Sequence, residues 1–174
     1  MPCYFYEKIN GGVPFAEEIM SGLTIRSETD IAKVTLGSVA DTPGIAAELF
    51  GRLGAEGFNV ELMVATGGGQ GRADISFAIK KDELDGVLKV LERLKEELGA
   101  QSISQRIGMA LVGVTGHDLA KRPGIAGRMF RSLSRYGINI DMISTGLSSV
   151  TCVIDERMVG EADTALKEEF SADE

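Results

Sequence analysis

The chain has 174 residues, 44% hydrophobic and 25% charged, with a formal net charge of −8. That field repels phosphate backbones, and no segment alternates Tyr or Phe with Lys or Arg, which excludes a nucleic-acid partner. No apolar run reaches the ~18 residues a membrane helix needs and no secretory leader opens the chain, so it reads as soluble and cytoplasmic, without a membrane partner.

Cys3 and Cys152 form neither a CxxC pair nor a disulfide framework, and the one histidine, His117, completes no zinc set or catalytic triad with them. Cys3 reads as a mobile thiol and Cys152, inside the alternation VTCVI, as a small buried hydrophobe. The expectation is a protein with no metal, no cofactor and no catalytic residue.

Residues 1–21 show no periodicity and read as an arm of undefined role, whether mobile, an appended strand or the trace of a neighbouring domain. GLTIRSE (22–28) has strand character, as does IAKVTLGSV (31–39). From Pro43, the residues Ile45, Leu49, Phe50 and Leu53 recur at helical spacing, with Pro43 expected in the first turn and Gly57 just past the end as a left-handed cap. FNVELMVA (58–65) predicts a second strand, GGGQG (67–71) a turn and RADISFAIK (72–80) the returning strand. GGGQG joins two strands and no Lys-Ser or Lys-Thr follows it, so it is not a phosphate loop. Residues 82–98 place Leu84, Val87, Leu88, Leu91, Leu94 and Leu98 on one helical face, and AQSISQRI (100–107) supplies a last strand. The order β-α-β-β-α-β is the ferredoxin-like plan, with an antiparallel sheet and helices on one face.

The sequence then repeats itself. PGIAAELFGRLGAEGFN (43–59) and PGIAGRMFRSLSRYGIN (123–139) align at a constant offset of 80, matching both turn residues and the apolar stripe, which points to duplication of a folding unit. The second copy runs MALVGVT (109–115), the helix from Pro123, INIDMIST (138–145), SVTCVID (149–155) and a helix near 158–170. It lacks a final strand, and an open edge beside a buried face is unstable, so segment 22–28 is expected to complete it. The domains expected are an arm over 1–21, a first unit over 29–107, and a second from 22–28 plus 108–172. Counting Ile107 to Pro123 against Ile31 to Pro43 gives the second copy four extra residues around HDLAK (117–121), read as a solvent-exposed insertion or a lid.

The strand-to-helix turns are the chemically interesting positions. Helix N-termini expose unpaired N–H groups, so Gly44–Ala46 and Gly124–Ala126 each offer a seat for a carboxylate. Asp41 sets an acid near the first turn, suited to the ammonium of an amino acid, whereas Lys121 and Arg122 stand before the second.

The duplicated xPGIA–helix–GxN units, together with VTLGSVADTPGIAAELFGRLGAEGFNVELM, DISFAI, ALVGV and INIDMIST, resemble the tandem ACT domains of the regulatory half of aspartokinase from about Gly22 to Phe170. The resemblance implies a homodimeric, non-catalytic regulatory module for amino-acid biosynthesis. It would bind a small amino-acid effector, threonine or lysine, and control an aspartokinase catalytic chain. Carried onto this sequence, the effector-binding residues are Asp41, Gly44, Ile45 and Ala46 facing Asn139 and Ile140, with a possible second site at Asn59, Val60, Gly124 and Ile125. Ala65, Ala126 and Gly146-Leu147 depart from the family by removing hydrogen-bonding groups, which keeps two alternatives open: a free-standing amino-acid sensor, or a purely structural dimerisation module with decayed pockets. No KFGGTS-like strand of the kinase half occurs in the sequence.

Overall fold

The computed structural model describes residues 16–20, 22–117 and 119–171. Among the described residues, seven strands and four α-helices follow in chain order: β1 (Ala16–Met20), β2 (Leu23–Ala40), α1 (Ile45–Ala55), β3 (Leu62–Gly69), β4 (Arg72–Lys80), α2 (Leu84–Leu94), β5 (Ser102–Thr115), α3 (Ile125–Arg135), β6 (Ile140–Thr145), β7 (Ser149–Asp155) and α4 (Val159–Ser171). They form two compact units. A central unit spans Asp30–Ile107, and a terminal unit joins the described residues up to Thr29 with those from Gly108 onward.

In the central unit the sheet order is β3-β4-β2-β5, and in the terminal unit it is β2-β5-β7-β6. Numbering the strands of each unit in its own β-α-β-β-α-β order, both sheets read 2-3-1-4 from one edge, the ferredoxin-like arrangement. The C-terminal part of β2 is the first strand of the central unit, while its N-terminal part is the fourth strand of the terminal unit. β5 serves the opposite way round. The expected completion of the second unit by the N-terminal strand therefore holds, but the segments read as 22–28 and 31–39, and as 100–107 and 109–115, are each one continuous strand.

The ladders fix how the copies correspond. Val34 lies opposite Phe77 and Leu36 opposite Ile75 in the central unit; Val112 lies opposite Cys152 and Val114 opposite Val150 in the terminal one. The first strands thus correspond at an offset of 78, against 80 for the helices. This corrects the insertion around HDLAK from four residues to two, because Met109, not Ile107, is the counterpart of Ile31. Nor is the insertion a plain solvent loop: Leu119 opens a 3-10 turn and is buried in the terminal core, tied down by Ala120 N–H donating to the Leu147 carbonyl.

Each core lies between its sheet and its two helices. Val34, Leu36, Leu49, Leu53, Ile75, Phe77, Val87 and Leu91 fill the central one. Val112, Val114, Met129, Leu133, Val150, Cys152, Leu166 and Phe170 fill the other. Phe77 meets the edge of Phe50 at 5.7 Å between ring centroids. At its counterpart Cys152 the small thiol fills the position, and burial pushes its pKa up to about 12, so it is an inert hydrophobe as expected. In α2 the buried face is Leu84, Val87, Val90, Leu91 and Leu94, with Leu98 buried beyond the helix end. Val90 joins that face, whereas Leu88 is only half-buried.

Of the N-terminal arm, 16–20 form β1, antiparallel to β2 from Ala16 opposite Ser27 to Met20 opposite Leu23. The rest of the expected arm, with Cys3, lies outside the described residues.

Candidate functional site: the duplicated strand-to-helix turns

The turn after β2 and the turn before α3 are built alike. Gly44 and Gly124 are the helix N-caps, with φ of 104° and 93°, a region that side-chain-bearing residues avoid. Pro43 and Pro123 accordingly stand one residue before the cap, not in the first helical turn, because the helices begin at Ile45 and Ile125. Their role is to fix the chain's approach to a left-handed glycine. The first helical bonds run from Glu48 N–H to the Gly44 carbonyl and from Arg128 N–H to the Gly124 carbonyl, each 2.9 Å. No side chain caps either helix; Ile45 N–H donates to the Thr42 carbonyl at 3.4 Å, and the other first-turn amides have no intrahelical acceptor in turns that are largely exposed. A carboxylate is the natural acceptor for such a group of donors.

Each turn is also fastened to the hairpin of its own unit. Asp41 N–H donates to the Gly71 carbonyl at 2.9 Å, and Ala120 N–H to the Leu147 carbonyl at 3.0 Å. The anchoring is equivalent, but the charge around it is not. Asp41 is exposed beside the first turn, while Lys121 and Arg122 are exposed beside the second.

The far ends of the helices carry the other predicted residues. Gly57 and Gly137 close α1 and α3 with the same pair of backbone bonds: Phe58 N–H to Leu53 carbonyl with Gly57 N–H to Gly54 carbonyl, and Ile138 N–H to Leu133 carbonyl with Gly137 N–H to Ser134 carbonyl. This Schellman closure turns the chain into Asn59-Val60 and Asn139-Ile140. Both asparagines are exposed, while Val60 and Ile140 are half-buried against their own cores.

Within a unit, therefore, the turn and the asparagine lie at opposite ends of an eleven-residue helix, about 16 Å apart. Asp41, Gly44, Ile45, Ala46, Asn59 and Val60 belong to the central unit; Gly124, Ile125, Asn139 and Ile140 to the terminal one. The fold does not bring Gly44 together with Asn59, or Gly124 with Asn139.

Sequence reading missed the chemistry around Asn59. Its side-chain amide donates to Glu61 Oε1 at 3.1 Å. Burial, then Asp82, then Glu61 raise the pKa of Glu83, against the Asn59 backbone N–H and Lys80, which lower it. Asp82 and Glu83 stand in the turn just ahead of α2; that this turn comes beside the start of β3 follows from the β3–β4 hairpin, whose register no local pattern encodes. Of the family departures, Ala65 is exposed and Leu147 is 82% exposed at the β6–β7 turn, while Ala126 is half-buried against the terminal core.

Among the described residues, no group of three or more His, Cys, Asp or Glu is placed to hold a metal ion, and no helix is long and apolar enough to cross a membrane.

Comparison with known proteins agrees with this architecture. Residues 34–99 and 112–170 each match the ACT domain family. An aspartate kinase of Stutzerimonas stutzeri is 32% identical over 157 residues, which is 90% of this chain but 38% of that protein, so the chain spans about two fifths of the length of the curated relatives it matches. The ligand-free regulatory subunit of aspartate kinase from Thermus thermophilus superimposes with a TM-score of 0.78 at 29% identity, covering 84% of this chain and 96% of that one. A structure of aspartokinase alpha and beta subunits gives the same TM-score at 28% identity, covering 87% and 99%. The chain belongs to the ACT-domain family and corresponds to the regulatory, non-catalytic ACT region of aspartokinase.

Proposed function

We propose that this regulatory region binds a free amino acid, threonine or lysine, and in doing so biases an aspartokinase catalytic chain. Each site takes a helix-start turn from one kind of unit and a strand start from the other. The supporting observation is that Gly44 and Asn59, like Gly124 and Asn139, are separated by the length of a helix, so neither pair can grip one small ligand within its own unit. The first set is Asp41, Gly44, Ile45 and Ala46 with Asn139 and Ile140; the second is Gly124 and Ile125 with Asn59 and Val60.

The second set has the better charge for a zwitterion. Its turn offers helix amides near Lys121 and Arg122 for the carboxylate, and its asparagine lies beside Glu61 and Glu83 for the ammonium. In the first set Asp41 opposes the carboxylate at the turn itself. Binding energy that differs between two arrangements of the units is the only means by which the ligand controls a partner enzyme.

The test is a thermal-unfolding screen of the full chain against the twenty amino acids. A ligand at 100 times its dissociation constant adds about 2.7 kcal/mol of stability. A selective rise with threonine or lysine, reduced at least about tenfold in affinity by Glu61→Gln, is the expected result. A rise reduced only by Asp41→Ala would move the binding to the first set. No rise with any amino acid, in a folded protein, would refute the sensor and leave a structural module with decayed pockets.

A further inference from the structure

Just before the first turn, β2 falls out of register with β4. Leu36 stands opposite Ile75 and Val39 opposite Ala73, so Gly37 and Ser38 together face Asp74, a β-bulge with one extra residue on β2. Ser38 has a φ of 55°, a left-handed conformation that a serine rarely adopts. Both of its backbone groups are held by side chains of β4. Ser38 N–H donates to Asp74 Oδ1 at 2.7 Å, and Arg72 Nη1 donates to the Ser38 carbonyl at 3.0 Å and to the Gly99 carbonyl at 2.8 Å. Each of these bonds has one charged partner, which makes it stronger than a bond between neutral groups. Asp41 follows three residues after Ser38, so whatever fixes Ser38 also aims the chain into the turn.

Neither the cation nor the acid is repeated in the terminal unit. Matching Leu36 with Val114 and Ile75 with Val150 puts Gly116 in the place of Ser38, Ser149 in that of Asp74 and Leu147 in that of Arg72. There the corresponding bond runs between backbones, from Gly116 N–H to the Ser148 carbonyl at 2.9 Å, and the Leu147 side chain stands in water. To the backbone bonds that both turns share, the central unit therefore adds two charged side chains, and it does so at the turn that carries Asp41.

We propose that Arg72 and Asp74 are positioning residues of the first effector set: by holding Ser38 left-handed, they set the direction in which β2 delivers Asp41 and Gly44. The proposal rests on the effector reading for its ligand and on the Ser38 geometry for the clamp. Both side chains act through Ser38 and not on the ligand. Without the clamp Ser38 relaxes toward extended backbone, the bulge shifts, and the bond from Asp41 N–H to the Gly71 carbonyl weakens.

The experiment compares the full chain with Asp74→Ala, Ser38→Gly and the two combined, by hydrogen exchange resolved by NMR. Asp74→Ala should speed exchange of the Asp41 amide at least about tenfold and leave the amides of α2 and of Ala120 at their parental rates. Ser38→Gly should restore the Asp41 rate in the combined variant, because glycine takes a positive φ without help. A general loss of stability would instead speed the α2 amides too and would not be cured by glycine at 38. Arg72→Leu, the change to the terminal unit's residue, should act in the same direction as Asp74→Ala; if it unfolds the chain, Asp74→Ala decides alone. An unchanged Asp41 rate in Asp74→Ala, or no recovery with Ser38→Gly, overturns the clamp. For an amino acid that stabilises the parent, affinity should fall and recover in the same order. Affinity weakened by Asp41→Ala but untouched by Asp74→Ala overturns the positioning role. A parent that binds no amino acid, or binds one regardless of Asp41→Ala, refutes the effector reading of the first set, and the exchange rates then decide the clamp.

Discussion

At the head of α1 the chain carries Asp41; at the head of α3 it carries Lys121 and Arg122. Yet the two turns use the same left-handed glycine, the same bond from the residue four on, and the same tether to their own hairpins. The central hairpin is five residues longer between helix and returning strand, and it closes on Gln70 and Gly71 with φ of 53° and 70°, a pair suited to a tight type I′ turn. Geometry in these units is held by backbone bonds and apolar positions, which leaves the surrounding charges free to diverge. Two copies of one frame can then present an acidic turn and a basic one.

The comparison breaks most visibly if the chain is shortened. The central unit contains all four of its strands between Asp30 and Ile107, whereas the terminal unit borrows its fourth from 23–29. Deleting everything before Asp30 removes Leu23 and Ile25 from the terminal core, worth about 3–6 kcal/mol in side-chain burial alone, together with a ladder of backbone bonds. Hydrogen exchange should then show amides of 109–115 and 149–155 losing protection while those of 72–80 keep it. Equal loss in both units, or none in either, would mean that the strand assignment is wrong.

That interlock was legible in the sequence because the second copy runs out one strand short, an absence that counting alone reveals. The repeat, the helices and both returning strands were legible for a related reason: Leu49 and Leu53, like Met129 and Leu133, serve a periodic face, and 72–80 and 149–155 alternate cleanly. Strand continuity was not legible. Asp30 and Gly108 hold positive φ of 57° and 71° inside β2 and β5, and such residues read as breaks when only local propensity is considered. The candidate site was half legible. Turn residues announce themselves through Pro-Gly and Gly-x-Asn, but the acids near Asn59 arrive through a hairpin register that is nonlocal.

A sharper comparison comes from the glycines that close the helices. Gly57 and Gly137 have φ of 87° and 69°, and a Cβ at either would meet no atom within 4 Å. Alanine therefore acts through the backbone alone, at about 1–2 kcal/mol each. The expected result in urea denaturation is a similar loss at both positions, with Gly57→Ala the costlier because its φ lies further from the left-handed well. A loss at only one would show that the Schellman closures are not equivalent in energy as they are in geometry.

The smallest expected difference lies in how each pair of helices is tied. In the terminal unit Arg128 spans α3 and α4: its Nε meets Glu169 Oε1 at 2.9 Å, a second nitrogen donates to the Glu169 carbonyl at 2.7 Å, and the guanidinium lies 4.9 Å from the centre of the Phe170 ring. Glu169 also receives Arg135 at 3.2 Å. In the central unit the arginine one turn later, Arg52, pairs with Glu48 on its own helix, both side chains largely in water, and the tie between helices is an exposed ion pair from Arg93 of α2 to Glu56 at the end of α1. An exposed pair of that kind contributes at most about 0.5 kcal/mol. Arg128 is more enclosed and loses packing as well as charge when truncated, so Arg128→Ala should cost about 1–2 kcal/mol. Repeating both measurements in 1 M salt separates the causes, since a Debye length of about 3 Å screens exposed charges and leaves ring contact and the carbonyl bond in place. The Arg52 effect should vanish there and most of the Arg128 effect should survive; if both vanish, α3 and α4 are joined by surface charge alone.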